Sequence, residues 1–112
     1  MQLNLRAQSV ILQDLIEVLI LARAVITFKL MPESPHANLD AIKRRAQEIA
    51  KAEGALGDTQ VKEEPIAFGL KAVLVMAMYS VENHDFEAIA AEMQKIKEVQ
   101  SAEVAKMDLA LG

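Results

Sequence analysis

The sequence contains no cysteine. Disulfides, iron–sulfur clusters and thiolate zinc sites are therefore excluded. Histidine is almost as scarce: His36 and His84 stand far apart, so no histidine metal pair is on offer, and both read as loop residues near helix starts. Positive charge is in deficit, with 12 Lys and Arg against 16 Asp and Glu and a net charge of −4. Phosphate backbones need a cationic surface, so nucleic acid is not expected as a direct partner; a basic protein partner remains open. Long hydrophobic runs are also missing. Val10 to Leu21 is the richest stretch, but Asp14 and Glu17 interrupt it and it is too short to span a bilayer. It lacks the uncharged apolar centre and small-residue cleavage site of a secretory signal. There is no glycine-rich phosphate loop and no Ser/His/Asp set. The expectation is a cytoplasmic protein with no membrane partner, no metal and no cofactor.

What is present suits one small domain. The chain has 112 residues, 53% of them hydrophobic and 25% charged, a globular composition rather than a disordered one. A domain of this size buries a modest core but no deep enzyme cleft.

The hydrophobic period changes along the chain. Ile11, Leu12, Leu15, Ile16 and Leu19 recur at helical spacing. From Arg23 the alternation becomes that of a strand: Ala24, Ile26, Phe28 and Leu30 on one face, Val25, Thr27 and Lys29 on the other. Met31-Pro32 ends it, because proline cannot continue a ladder. Asn38 is a helix cap, with Asp40 in the first turn where the helix dipole favours an anion. Leu39, Ile42, Ala46 and Ile49 form the stripe of that helix, and Gly54 is its stop. Gln60 to Glu64 predicts an edge strand, ended by Pro65. Lys71 to Tyr79 predicts a strand apolar on both faces and therefore central. Asn83 and Asp85 can cap a second helix, with Phe86, Ile89, Ala90, Met93 and Ile96 as its stripe. Val99 to Met107 predicts a last strand at an edge.

Strand, helix, strand, strand, helix, strand is the order of an α+β, ferredoxin-like split βαβ sandwich (βαββαβ). Right-handed crossovers place both helices on one face of a four-stranded antiparallel sheet, with the first and third strands in the centre. The other face stays partly open to a partner. Met76, Met78 and Met93 fall at core spacing. The neighbouring carboxylates Glu63 and Glu64 look like an acid pair, but adjacent strand residues point to opposite faces. They read as a solvated edge.

Three local runs carry a family resemblance. "FKLMPESPHANLDAI" spans Phe28 to Ile42, "EEPIAFGLKAV" spans Glu63 to Val73, and "VQSAEVAKMD" spans Val99 to Asp108. In order and spacing they resemble the exchange-factor domain of the archaeal elongation factor 1-beta family, from about residue 22 onward. Pro65 to Lys71 is the most specific piece. The resemblance implies a translation elongation factor: a guanine nucleotide exchange factor for the GTPase elongation factor 1A, meeting it both GDP-bound and nucleotide-free. It implies no covalent chemistry, hence not an enzyme in that sense. The alternative is a ferredoxin-like regulatory module that binds a small molecule, for which the glycine placement supplies no ligand loop. A small enzyme using the open sheet face would need a convergent polar set, and the sequence supplies none.

The resemblance also nominates GTPase-binding residues. It implies that Phe68, at the bend between two strands, enters an apolar pocket of the GTPase; on the residues alone, Phe68 could equally pack in its own core. Lys71 either meets acidic or phosphate-proximal groups of the partner or is an ordinary solvated lysine. Ile66 and Gly69 share the bend, Gly69 through backbone freedom, while Pro65 sets the turn. Relatives from eukaryotes end with a lysine next to the last residue, implicated in displacing Mg²⁺. Here the pattern puts Leu109 at that position, and Lys106 is the nearest lysine.

Residues 1–20 lie outside the resemblance, and residues 21–112 form the exchange domain. The first twenty read as an N-terminal extension, helical or disordered if present. The preferred reading is a start assigned too early, with Leu21 encoded by a TTG start codon and Glu17-Val18 by a ribosome-binding sequence.

Overall fold

The computed structural model describes residues 22–82 and 84–110. The expectations for the N-terminal extension, and for Asn83 as a cap, lie outside the described residues. Four strands and two helices follow in the expected order: β1 Arg23–Pro32, α1 Leu39–Ala52, β2 Leu56–Pro65, β3 Lys71–Ser80, α2 Phe86–Gln94 and β4 Val99–Ala110. The sheet is antiparallel in the order β2-β3-β1-β4, with β1 and β3 central as predicted. This is the split βαβ, ferredoxin-like arrangement.

Alternation decides which side chains meet the helices. Ala24, Ile26, Phe28 and Leu30 of β1 and Val73, Val75, Ala77 and Tyr79 of β3 are buried. They meet Ile42, Ala46 and Ala50 of α1 and Ile89, Ala90 and Met93 of α2. Both helices begin where capping chemistry dictates. Asn38 Oδ1 accepts from Ala41 N at 3.1 Å, and Asp85 Oδ1 accepts from Ala88 N at 3.1 Å. Each satisfies a backbone donor that the first helical turn leaves free. Gly54, at φ +106, takes the chain out of α1.

Several expectations need correction. β2 begins at Leu56, not Gln60: Leu56 pairs with Met78, and an irregularity separates it from Gln60. The polar run Gly57-Asp58-Thr59 concealed this part of the strand, because cross-strand pairing outweighs local propensity. β4 extends to Ala110, and α2 stops at Gln94 although Ile96 still packs on the core. Met76 and Met78 are not core residues; they are half-buried on the open face, which neither α1 nor α2 covers. Glu63 and Glu64 do point to opposite faces, but neither is merely solvated. Glu63 bonds Lys43 of α1, while Glu64 lies 3.6 Å from Lys29 on the open face.

Tyr79 closes the core near the C-terminal end of α1. Its ring stands edge-on to Phe28, with centroids 6.4 Å apart, and its hydroxyl donates to Ala50 O at 3.1 Å. Burial, with the nearby Glu53 charge adding to it, pushes the phenol up to about 12. Burial thus disfavours the phenolate only in the folded state. Below pH ~10 the phenol is neutral in both states and the stability is complete; as pH climbs from about 10 to about 12 the unfolded chain ionises first and stability falls. Urea unfolding of wild type and Tyr79→Phe at pH 9 and pH 11 checks this. The wild type is expected to lose more stability over that interval than the variant, which has no phenol to ionise. At pH 7 the variant is expected to be less stable by about 1 kcal/mol, for the lost hydrogen bond.

Candidate functional site

The β2–β3 connection carries the residues that the resemblance singled out. Pro65 and Lys71 form the last ladder pair. Ile66 N then donates to Leu70 O at 2.8 Å, and Leu70 N donates to Ala67 O at 3.2 Å. These two bonds tie residues 66–70 into a compact bend, with Ile66 and Leu70 half-buried at its base. Phe68 at φ 61, ψ 31 and Gly69 at φ +76 are consecutive left-handed residues. Glycine adopts this geometry freely, but phenylalanine does so at a cost of about 1–2 kcal/mol.

The strained residue is also the most exposed large apolar one among the described residues, with Phe68 at 94% of its full accessibility. The competing assignment of Phe68 to its own core is thereby overturned. Two left-handed residues in succession aim the ring away from the molecule, where no neighbour covers it. Strained backbone of this kind clusters at functional sites.

Charge lies along one flank of the bend. Lys71 Nζ is 3.8 Å from Glu63 Oε1, while the other oxygen of Glu63 accepts from Lys43 Nζ; Lys43 is 3.7 Å from Asp40. The hydrogen bond between Glu63 and Lys43 draws that carboxyl below its ordinary range and raises the lysine above its own. Lys71 is therefore held at the foot of the bend by a carboxylate shared with α1, and its side chain is still 55% exposed. The other flank is the turn between β1 and α1. A methyl group placed on Gly69 would lie 3.9 Å from Pro35 Cβ, in ordinary van der Waals contact.

Phe68, Ile66, Gly69 and Lys71 thus lie within one tied bend. Lys106 does not join it. It lies on the open face of β4, 3.5 Å from Asp108 and opposite Thr27 of β1. Thr27 also pairs with Met76, so Lys106 is level with Met76, roughly 17 Å along the strand direction from Lys71. Leu109 is exposed at the far end of the sheet, opposite Ala24. Pro35 and Glu63 were not read as parts of the site. Glu63 shares its run with the bend, but Pro35 belongs to the Phe28–Ile42 run, and proximity across 34 residues leaves no trace in local periodicity.

The described residues hold no group of three His, Cys, Asp or Glu positioned for a metal ion. No helix among them is long and apolar enough to cross a membrane. The bend offers an exposed aromatic ring and, three residues on, a half-exposed lysine, which suits binding to a surface.

Comparison with known proteins identifies a family whose matched span includes this bend. Residues 25–109 match the family described as the EF-1 guanine nucleotide exchange domain. Elongation factor 1-beta of Methanosphaerula palustris is 37% identical over 84 residues, covering 75% of this chain and 93% of that protein. The Methanothermobacter thermautotrophicus protein of the same name is 39% identical over 80 residues, covering 71% and 88%. That of Pyrococcus furiosus is 35% identical over 77 residues, covering 68% and 82%. The matched span runs from β1 almost to the end of β4 and contains the whole Phe68 bend. The chain belongs to the EF-1 guanine nucleotide exchange domain family, the nucleotide exchange factors of translation elongation.

Proposed function

We propose that the Pro65–Lys71 bend is the surface with which this protein engages the GTPase elongation factor 1A in the cytoplasm, and that Phe68 is its anchor. The observation that carries the reading is the exposed, left-handed Phe68 at the tip of a tied bend. A fully desolvated aromatic anchor dominates the energy of many interfaces, and a ring already held outward loses little freedom on docking. Lys71 meets acidic or phosphate-proximal groups of the GTPase beside that pocket. Ile66 and Gly69 complete the contact. A contact through Lys106 would be separate, on another face.

Exchange follows from linkage. A factor that binds the nucleotide-free GTPase more tightly than the GDP-bound form weakens GDP binding by the same ratio. A thousandfold preference amounts to about 4 kcal/mol. Equal affinity for the two forms would shift nothing. No covalent bond of the nucleotide is made or broken, and the factor itself supplies no metal. The GTPase holds Mg²⁺ against the nucleotide phosphates, so displacing groups around that metal is an effective route to release.

The test loads elongation factor 1A with a fluorescent GDP, adds excess GTP, and follows release with and without this protein. Micromolar protein is expected to accelerate release by at least tenfold, in a saturable manner. An unchanged release rate would remove the reading.

A further inference from the structure

We propose that Glu98 is a positioning residue for exchange: it grips the turn that lies beside the Phe68 bend and thereby holds the bend ready to dock. The proposal rests on the reading of that bend given above.

Glu98 occupies the tight turn between α2 and β4, with its backbone left-handed at φ +72. It is the only described non-glycine residue besides Phe68 with a positive φ. A glutamate has no local reason to adopt that conformation, in contrast to Asn or Gly. Its two hydrogen bonds supply the reason. Glu98 O accepts from Glu33 N at 2.8 Å, and Glu98 Oε2 accepts from Asn38 N at 2.6 Å. One residue therefore fastens both ends of the β1–α1 turn.

The second bond fills a gap in the capping of α1. A capping box pairs the cap residue with an acidic side chain three positions later, which reaches back to the N–H of the cap. Asn38 performs its half by accepting from Ala41 N. Ala41 itself has no side chain that could answer. The missing carboxylate comes instead from Glu98, 60 residues away in sequence. Its negative charge also sits at the end of α1 that favours anions.

Between the two gripped ends, Ala37 N donates to Ser34 O and His36 N donates to Ser34 Oγ, each at 3.2 Å. These bonds make the segment a compact turn that moves as a piece. Pro35, at its tip, faces Gly69: a methyl group placed on Gly69 would lie 3.9 Å from Pro35 Cβ. None of Glu98, Asn38, Pro35 and Gly69 belongs to the buried core. Loss of the Glu98 carboxylate should loosen the bend without unfolding the domain.

Glu98→Gly separates this role from plain stability. It removes the carboxylate but also frees the strained backbone, so the urea midpoint is expected to stay close to wild type. Glu98→Gln keeps both the acceptor and its reach. In the fluorescent GDP release assay, Glu98→Gly is expected to raise the half-saturating concentration about three- to tenfold, the scale of ordering one loop before docking, with the maximal rate unchanged. Glu98→Gln should remain within about twofold of wild type. Added to Phe68→Ala, Glu98→Gly should cause no further loss, because the anchor it positions is gone. In ¹⁵N-labelled protein, the Gly69 amide resonance should move in Glu98→Gly and hold in Glu98→Gln. Wild-type half-saturation in Glu98→Gly, alongside a defect in Phe68→Ala, overturns the positioning role and leaves the bend reading standing. An equal further loss in the Phe68→Ala background also overturns it. Undiminished exchange by Phe68→Ala overturns the bend reading, and the proposal with it.

Discussion

Phe68→Ala is expected to reduce exchange on elongation factor 1A at least about 30-fold, the effect of removing an interface anchor worth 2 kcal/mol or more. The domain should fold as before. Phe68 is 94% exposed and supplies nothing to the core, so the urea midpoint should not fall. Phe68→Gly sharpens the test. At φ 61 a glycine is unstrained, and this variant should be more stable than wild type by about 1 kcal/mol. It should be as defective in exchange as the alanine variant. A protein made more stable by losing its activity would show that the strain at the bend serves function. Exchange titrations and urea unfolding on the same samples give both numbers. Wild-type exchange by either variant would exclude Phe68 as the anchor.

Phe28→Ala should produce the opposite pattern. Phe28 is fully buried in central β1 and stands edge-on to Tyr79. Truncating a buried phenylalanine costs about 3–5 kcal/mol, from lost transfer energy and the cavity left behind. A domain of this size is stable by only ~5–15 kcal/mol, so a large part of its stability goes. The urea midpoint should fall steeply, and at low temperature exchange should decline only in proportion to the unfolded fraction. If Phe28→Ala weakened exchange beyond that fraction while remaining folded, the core would be communicating with the bend through a route the structure does not show. Identical side chains 40 positions apart are thus expected to act on different quantities, Phe28 on stability and Phe68 on binding.

How far was this legible beforehand? The alternation from Ala24 to Leu30 and the doubly apolar run from Lys71 to Tyr79 identified the two central strands. Asn38 and Asp85 marked both helix starts. These signals are local: each depends on neighbours within a turn or two of the same element. The failures were of a different kind. Leu56 to Thr59 joins the sheet because β3 offers it a ladder partner, and nothing within the segment announces that. Met76 and Met78 have the spacing of core residues, but alternation shows only that a strand has two faces, not which of them is covered. α2 ends at Gln94 although Ile96 keeps the stripe: the chain leaves the helix there through the turn at Glu98 that leads into β4.

The candidate site divides along the same line. Pro65, Gly69 and the family-like run around them placed a bend between β2 and β3. The direction of the Phe68 ring required the left-handed backbone observed there. The pairing of Glu63 with both Lys43 and Lys71, and the distance from Lys106 to the bend, required the register of the sheet.

From the chain alone came the order of the elements, their central and edge roles and the position of the bend, because hydrophobic period, capping and turn chemistry act over a few residues. Only the tertiary structure decided which phenylalanine faces water, which lysine shares a carboxylate, and that Glu98 supplies the cap Ala41 cannot. Those outcomes depend on which sheet face the helices cover and on how strands distant in sequence align.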